Sequence, residues 1–269
     1  ARLDYHAIFL ERAKRLGERV AELHRAFATP VGDPAFEPEP THESDVEEWI
    51  GQARESARQA LLALDRDLSR VPEQLRDDAV ALLERREEIF ARIGAPRPRP
   101  GQAYKTRYHG DLHLGQVLVV ADDFYIVDFE GQPAQPLEQR RRKSSPLRDI
   151  AGMLRSINYA AVASVGGLTM DRSENVSALE PLARDWERRS GEAFLGGYEA
   201  TIAGCVSYPS DAAEARALID LFTLEKAFYE MSYELANRPS WVRIPLEGIL
   251  RILGPHADDR THGAFAARD

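Results

Sequence analysis

Tyr108-His109-Gly110-Asp111-Leu112-His113-Leu114-Gly115-Gln116, followed from 127 by Val127-Asp128-Phe129-Glu130-Gly131, is the stretch on which the fold turns. Between the two strings, Gln116 to Val120 and Phe124 to Phe129 are short, β-branched and aromatic runs separated by Ala121-Asp122-Asp123. That pattern predicts a β-hairpin with a three-residue loop. If Val120 pairs with Phe124, Gln116 falls opposite Asp128, and directly opposed Cβ atoms lie about 4.5–5.5 Å apart. An amide oxygen and a carboxylate so placed can share one Mg²⁺, a hard cation that takes oxygen ligands and few of them from protein. Asp111 stands between Gly110 and Gly115, which permit the sharp turns that aim its carboxylate back at the metal. A carboxylate beside a metal pair is what phosphoryl transfer requires, with Asp111 orienting the acceptor hydroxyl and taking its proton. Singly, each of these residues reads more simply as a backbone cap near a turn. The assignment rests on the whole string.

Outward from the hairpin the chain reads as helix. Phe9, Ala13, Leu16, Val20, Leu23 and Phe27 form one stripe over residues 3 to 28, closed before Pro30. After Pro34, Pro38 and Pro40, Ser44 and Glu47 have capping-box spacing and open a helix to about Ser69. Pro72 opens another, ending near Gly94, and Pro96, Pro98 and Pro100 make a stiff spacer. Ser145-Pro146 caps a helix with Leu147, Ile150, Leu154, Ile157 and Ala161 on one stripe. Two more helices are expected at roughly 174 to 204 and 210 to 237, with a frayed tail from about 255. The fold class is therefore mostly α with a small β-hairpin (α+β).

Composition narrows the function. With 269 residues and a net charge of −9 the chain is an acidic globular protein, which argues against nucleic-acid or anionic-membrane binding. Its one cysteine, Cys205, cannot form an intrachain disulfide and fits a reducing compartment. There is no signal-peptide layout and no apolar run of membrane-spanning length, so a cytoplasmic location is expected.

The order His-Gly-Asp, Gln, then Asp-Phe after a strand resembles protein-kinase-like phosphotransferases, with Gln116 in place of the usual Asn and Asp-Phe-Glu-Gly in place of Asp-Phe-Gly. Together with the Ser145–Ser156 string and Glu225-Lys226-Ala227-Phe228-Tyr229-Glu230, Tyr233-Glu234, Asn237-Arg238-Pro239 and Trp241 to Pro245, it resembles the maltokinase family, including the kinase domain fused to trehalose synthases. The resemblance implies ATP-dependent phosphorylation of maltose to maltose 1-phosphate on an aminoglycoside-phosphotransferase-like fold, with Mg²⁺ and with ATP as co-substrate. It also implies Asp111 as catalytic base, Gln116 and Asp128 as metal ligands, Glu130 joining the metal or the sugar, and Asp149 bracing the catalytic loop through backbone N–H groups. His109 is expected to brace the same loop, and His113 has no assigned role. A zinc reading of His109 and His113 lacks the glutamate of the helical metalloprotease motif.

On the late helix, Leu221, Leu224, Phe228, Met231 and Leu235 form the core stripe, while Glu225, Tyr229 and Tyr233 form a second row able to line a disaccharide, with Arg238 nearby. Arg140-Arg141-Arg142-Lys143 reads as a solvated basic loop or a guide for phosphates or an acidic partner. No glycine-rich phosphate loop of G-x-G-x-x-G or Walker spacing occurs. The expectation is thus the helical C-terminal lobe of a kinase whose N-terminal ATP lobe is missing, inactive alone, with residues 1–101 a helical subdomain and 102–269 the catalytic-loop lobe. The expected partners are maltose or a similar sugar, the missing lobe, and a fused or associated trehalose synthase. Two alternatives stand: a kinase for another small alcohol or aminoglycoside, and a non-catalytic module docking on trehalose synthase.

Overall fold

The computed structural model describes residues 6–96, 101, 103–133, 135–168 and 176–254. The expected spacer at Pro98 and Pro100 and the expected frayed tail lie outside these residues. Contacts sort the chain into two units, one of Ala1–Val46 with Arg97–Ile219, the other of Glu47–Pro96 with Asp220–Asp269. The first helix packs with elements far beyond residue 101.

In the first unit, α1 (Ala7–Phe27) lies along α7 (Val176–Ile202), and α6 (Leu147–Leu168) also packs against α7. Gly17 of α1 meets the backbone of Phe194, and Gly197 of α7 meets the backbone of Lys14. A Cβ at either position would overlap the facing carbonyl, so two glycines set the closeness of this helix pair. The buried row of α1 is Leu16, Val20 and His24 with Gly17 and Ala21, whereas Phe9 of the expected stripe is exposed. The glycine face, not the bulkiest apolar row, decides which side of α1 turns inward.

Two short antiparallel pairs and the one-turn helix α5 (Leu137–Arg140) also belong to this unit. β1 (Glu39–Pro40) pairs with β2 (Tyr104–Lys105), a pairing the proline-rich sequence around Pro40 does not announce. The hairpin is β3 (Val117–Val120) with β4 (Asp123–Ile126), registered Val120↔Asp123 and Val119↔Phe124. Its loop is therefore two residues, Ala121 and Asp122, not three, and Ala121 takes φ 54°. A positive φ at the first loop position alone is the II′ pattern that suits the twist of paired strands. Arg19 of α1 grips the loop end by donating to both carboxylate oxygens of Asp123, at 2.7 and 2.6 Å. That guanidinium holds the Asp123 carboxyl down at about 2, and the Phe124 N–H adds to the effect.

The opening of α2 (Glu43–Arg66) also differs in detail. The helix starts one residue before Ser44, and Asp45, not Glu47, reaches back to accept the His42 N–H at 2.8 Å. Asp45 also accepts Lys105 Nζ at 2.8 Å, so the cap and β2 share one carboxylate.

The second unit is built from most of α2, α3 (Arg76–Glu84), α4 (Arg86–Ile93), the later part of α8 (Ala212–Asn237) and α9 (Arg243–Leu253). The helix expected from Pro72 to Gly94 is divided at Arg85, after a 3₁₀ turn at Glu73–Leu75. Leu221, Leu224, Phe228, Met231 and Leu235 are all buried, as their spacing predicts. Trp49 packs edge-on to Phe222. Helix α9 is not among the helices expected from the sequence; its Pro245 occupies the first turn, where the ring costs no hydrogen bond. Among the described residues no helix is long and apolar enough to cross a membrane.

Candidate active site

The loop from His109 to Leu114 is held by its backbone, and α6 does the holding. Asp149, in the first turn of α6 and 2% exposed, accepts the His109 N–H at 2.7 Å and the Gly110 N–H at 2.9 Å. One turn on, Gly152 lies under the Leu112 carbonyl, where a Cβ would come within 2.7 Å of that oxygen. A further turn on, the Ser156 hydroxyl accepts the Leu114 N–H at 3.0 Å. The spacing 149, 152, 156 puts all three on one face of the helix.

Sequence reasoning missed what lies behind Asp149. His24, fully buried, approaches Asp149 Oδ2 through Nε2 at 3.1 Å and the Tyr198 hydroxyl through Nδ1 at 2.9 Å. The loop amides, Asp149, His24 and Tyr198 thus form one buried polar chain from the site into the α1–α7 interface. A histidine continuing the Leu16–Val20 row was the available signal, since a polar residue on a core face needs a partner. Burial, and secondarily the charges of Tyr208, Asp149 and Cys205, hold the Tyr198 phenol well above its ordinary value.

The loop is also tied to the second string. His109 is 1% exposed; its Nε2 donates to the Val127 carbonyl at 2.8 Å, and its Nδ1 accepts the Asp111 N–H at 3.3 Å. Gly110 takes φ +85° and sits so close to Gly131 that a Cβ would fall 3.2 Å from the Gly131 Cα. Asp111 and Asp128 are therefore carried on backbones fastened to each other at 109–127 and 110–131. Phe129 packs, tilted, against His109, with ring centroids 5.0 Å apart, and edge-on against Phe27.

Gln116 and Asp128 meet: Gln116 Nε2 donates to Asp128 Oδ2 at 2.7 Å. The hairpin register is one residue off the expected pairing, with the Val127 N–H on the Gln116 carbonyl at 3.0 Å. Contact survives because Asp128 adopts φ 68°, a left-handed conformation that swings its side chain back across the strand end. Among the described residues no group of three or more His, Cys, Asp and Glu converges as a metal cage. One carboxylate and one amide oxygen, the rest of the shell being water and phosphate, is nonetheless a donor set that fits Mg²⁺. His109 spends both ring nitrogens on backbone groups, which leaves none for zinc.

The remaining expected residues are placed as follows. Glu130 is exposed and its Oε2 takes Arg140 Nη1 at 3.3 Å. Glu225, Tyr229, Tyr233 and Arg238 belong to the second unit. There Glu225 is half-buried, while Tyr229 and Tyr233 are about half exposed, forming a surface row beside the core stripe of α8. Arg238 donates to both oxygens of the buried Glu234, at 2.9 and 2.6 Å, and lies over the rings of Trp241 and Tyr233. The basic run is not simply solvated. Lys143 is bound to Glu39 and the Pro34 carbonyl, Arg140 packs along Gly131, and the Arg141 carbonyl accepts Arg107.

No protein-family model matches the chain. It is similar to the glucosamine kinase of Streptacidiphilus jiangxiensis, 27% identical over 233 residues, 87% of this chain and 47% of that protein. It is similar also to the glucosamine kinase of Mycolicibacterium smegmatis, 30% identical over 230 residues, 84% of this chain and 49% of that protein. The chain thus spans about half the length of the curated relatives it matches. Among solved structures, a glucosamine kinase in complex with glucosamine, ADP and inorganic phosphate superposes with a TM-score of 0.67 at 24% identity, over 91% of this chain and 52% of that one. A crystal form B of a glucosamine kinase gives 0.65 at 25% identity, over 90% of this chain and 51% of that one. The described fold is that of about half of a glucosamine kinase structure.

Proposed function

We propose that this chain carries the base-and-metal portion of an ATP-dependent sugar kinase. The observation that carries the reading is the 2.7 Å contact of Gln116 with Asp128 at the end of a loop whose backbone is clamped around Asp111. In this reading the acceptor hydroxyl binds against Asp111, its oxygen attacks the γ-phosphorus of ATP, and its proton passes to the Asp111 carboxylate. The bond from γ-phosphorus to the bridging oxygen breaks and ADP leaves. Bound Mg²⁺ would be held by Gln116 and Asp128 and would neutralise charge on the phosphates. Asp149 and His109 keep the loop from moving as the proton transfers.

The substrate is a small sugar. The two relatives described above are named glucosamine kinase, and this favours an amino sugar over the maltose suggested by the sequence strings. The exposed Glu130 supplies a carboxylate that suits an ammonium group better than a neutral disaccharide. A trehalose synthase partner follows only from the maltokinase resemblance and has less support. Since the sequence contains no glycine-rich phosphate loop, the chain by itself is expected to turn over ATP weakly compared with the full-length protein.

The test is phosphate transfer from ATP by the full-length protein to glucosamine, maltose, an aminoglycoside and choline, each with Asp111→Asn beside it. Transfer to glucosamine that falls by roughly 10²–10⁴ in Asp111→Asn supports the proposal. Transfer to maltose instead would reassign the substrate and keep the site. No transfer to any acceptor, or an Asp111→Asn protein as active as the parent, would overturn the reading.

A further inference from the structure

The ring of His113 is seated by two features. It caps the one-turn 3₁₀ helix Leu114–Gln116 from an extended backbone, and its Nδ1 accepts the Gly115 N–H at 3.1 Å. The ring also occupies the space a side chain at 115 would need: a Cβ on Gly115 would lie 2.7 Å from Cε1 and 2.8 Å from Nδ1. Residue 115 must be glycine for the imidazole to sit there.

A nitrogen that accepts an N–H carries no proton, so the neutral ring holds its proton on Nε2. That nitrogen is the one turned toward the site, 3.9 Å from Asp111 Oδ2. The separation is too long for a hydrogen bond between them. It does admit one oxygen within bonding distance of both. Side-chain exposures of 41% for His113 and 20% for Asp111 leave the approach open to a ligand.

We infer that His113 is a substrate-positioning donor, its Nε2–H bonding to the acceptor hydroxyl oxygen whose proton Asp111 takes. This rests on the reading of Asp111 given above. A hydroxyl oxygen is tetrahedral, with one bond to carbon, one to hydrogen and two lone pairs. With its hydrogen on Asp111 and one lone pair on His113, only the second lone pair is left, and its direction toward phosphorus is fixed. The acceptor class that fits is an alcohol: an amine nitrogen has a single lone pair and cannot both accept from His113 and attack. Positioning of this kind alters the rate without altering the fold.

Two substitutions separate this role from simple capping. Asn at a helix N-cap accepts a backbone N–H as His113 Nδ1 does, but has no donor where Nε2 lies. Gln places an amide N–H near the Nε2 position. In the full-length protein His113→Asn is expected to lower kcat/KM for the sugar roughly 10–100-fold at an unchanged melting temperature, and His113→Gln to recover a substantial part. Capping alone predicts the reverse order and overturns the inference, as does parental activity in His113→Asn. Asp111→Asn is the reference: if it is inactive while His113→Asn is not, this inference fails and the site reading stands, and if it is active, the site reading itself fails. Independently of turnover, two-bond ¹⁵N–¹H correlation on the labelled chain reads the tautomer. The Nε2–H form is expected, and the Nδ1–H form would overturn the assignment.

Discussion

Asp149 and His109 are joined at 2.7 Å by a bond from backbone to buried carboxylate, forty residues apart in the chain. The same carboxylate takes the Gly110 N–H and the ring of His24. Asp149→Ala would strand the buried His109 N–H and His24 ring and the half-buried Gly110 N–H. We expect a loss of about 3–5 kcal/mol in denaturant unfolding. A loss below 1 kcal/mol would show that the loop does not depend on this anchor.

Gly110 combines φ +85° with a close approach to Gly131. Gly110→Ala pays for a left-handed alanine, about 1–2 kcal/mol, and must also push Gly131 away. Because Gly131 lies three residues after Asp128, the displacement should reach the contact of Asp128 with Gln116. The expected result is a modest fall in melting temperature with a disproportionate fall in sugar phosphorylation; matched losses would refute the coupling.

Gln116 is a surface residue whose stability role is small. Gln116→Ala should leave the melting temperature nearly unchanged yet raise the Mg²⁺ concentration needed for half-maximal activity, by roughly tenfold or more. An unaltered Mg²⁺ dependence would remove Gln116 from the ligand set. Gln116→Asn tests reach, since one methylene is lost and the amide oxygen kept.

Tyr198 supplies a pH dependence whose sign is fixed by burial. Its phenol is held above the ordinary value near 10 in the folded chain, so the unfolded chain gives up its proton first. The associated stability is complete below about pH 10 and is lost as pH rises from there toward the folded value. Tyr198→Phe should cost about 1 kcal/mol at neutral pH, through the lost bond to His24, and flatten the decline above pH 10. Urea midpoints at pH 8 and pH 10.5 for both proteins check this; identical slopes would contradict it.

Much of this architecture was legible because periodicity and capping act locally. The α8 core stripe, the Ser145-Pro146 start of α6 and the existence of the hairpin all follow from neighbours in sequence. The hairpin register was not legible. Nothing in Ala121-Asp122-Asp123 shows that a two-residue turn with alanine at positive φ is preferred, and Arg19 secures it from α1. The meeting of Gln116 with Asp128 was expected from a pairing off by one residue, and the backbone of Asp128 makes up the difference. His24, Gly152 and Ser156 escaped because their partners lie far along the chain. The inward face of α1 escaped for a related reason: glycine contacts between helices leave no hydrophobic signature.

The three grips of α6 on the loop, at 149, 152 and 156, touch only main-chain atoms. A clamp of that kind is blind to what the loop carries. Side chains at 111 and 113 can therefore be exchanged to test their chemistry while the support beneath stays as built.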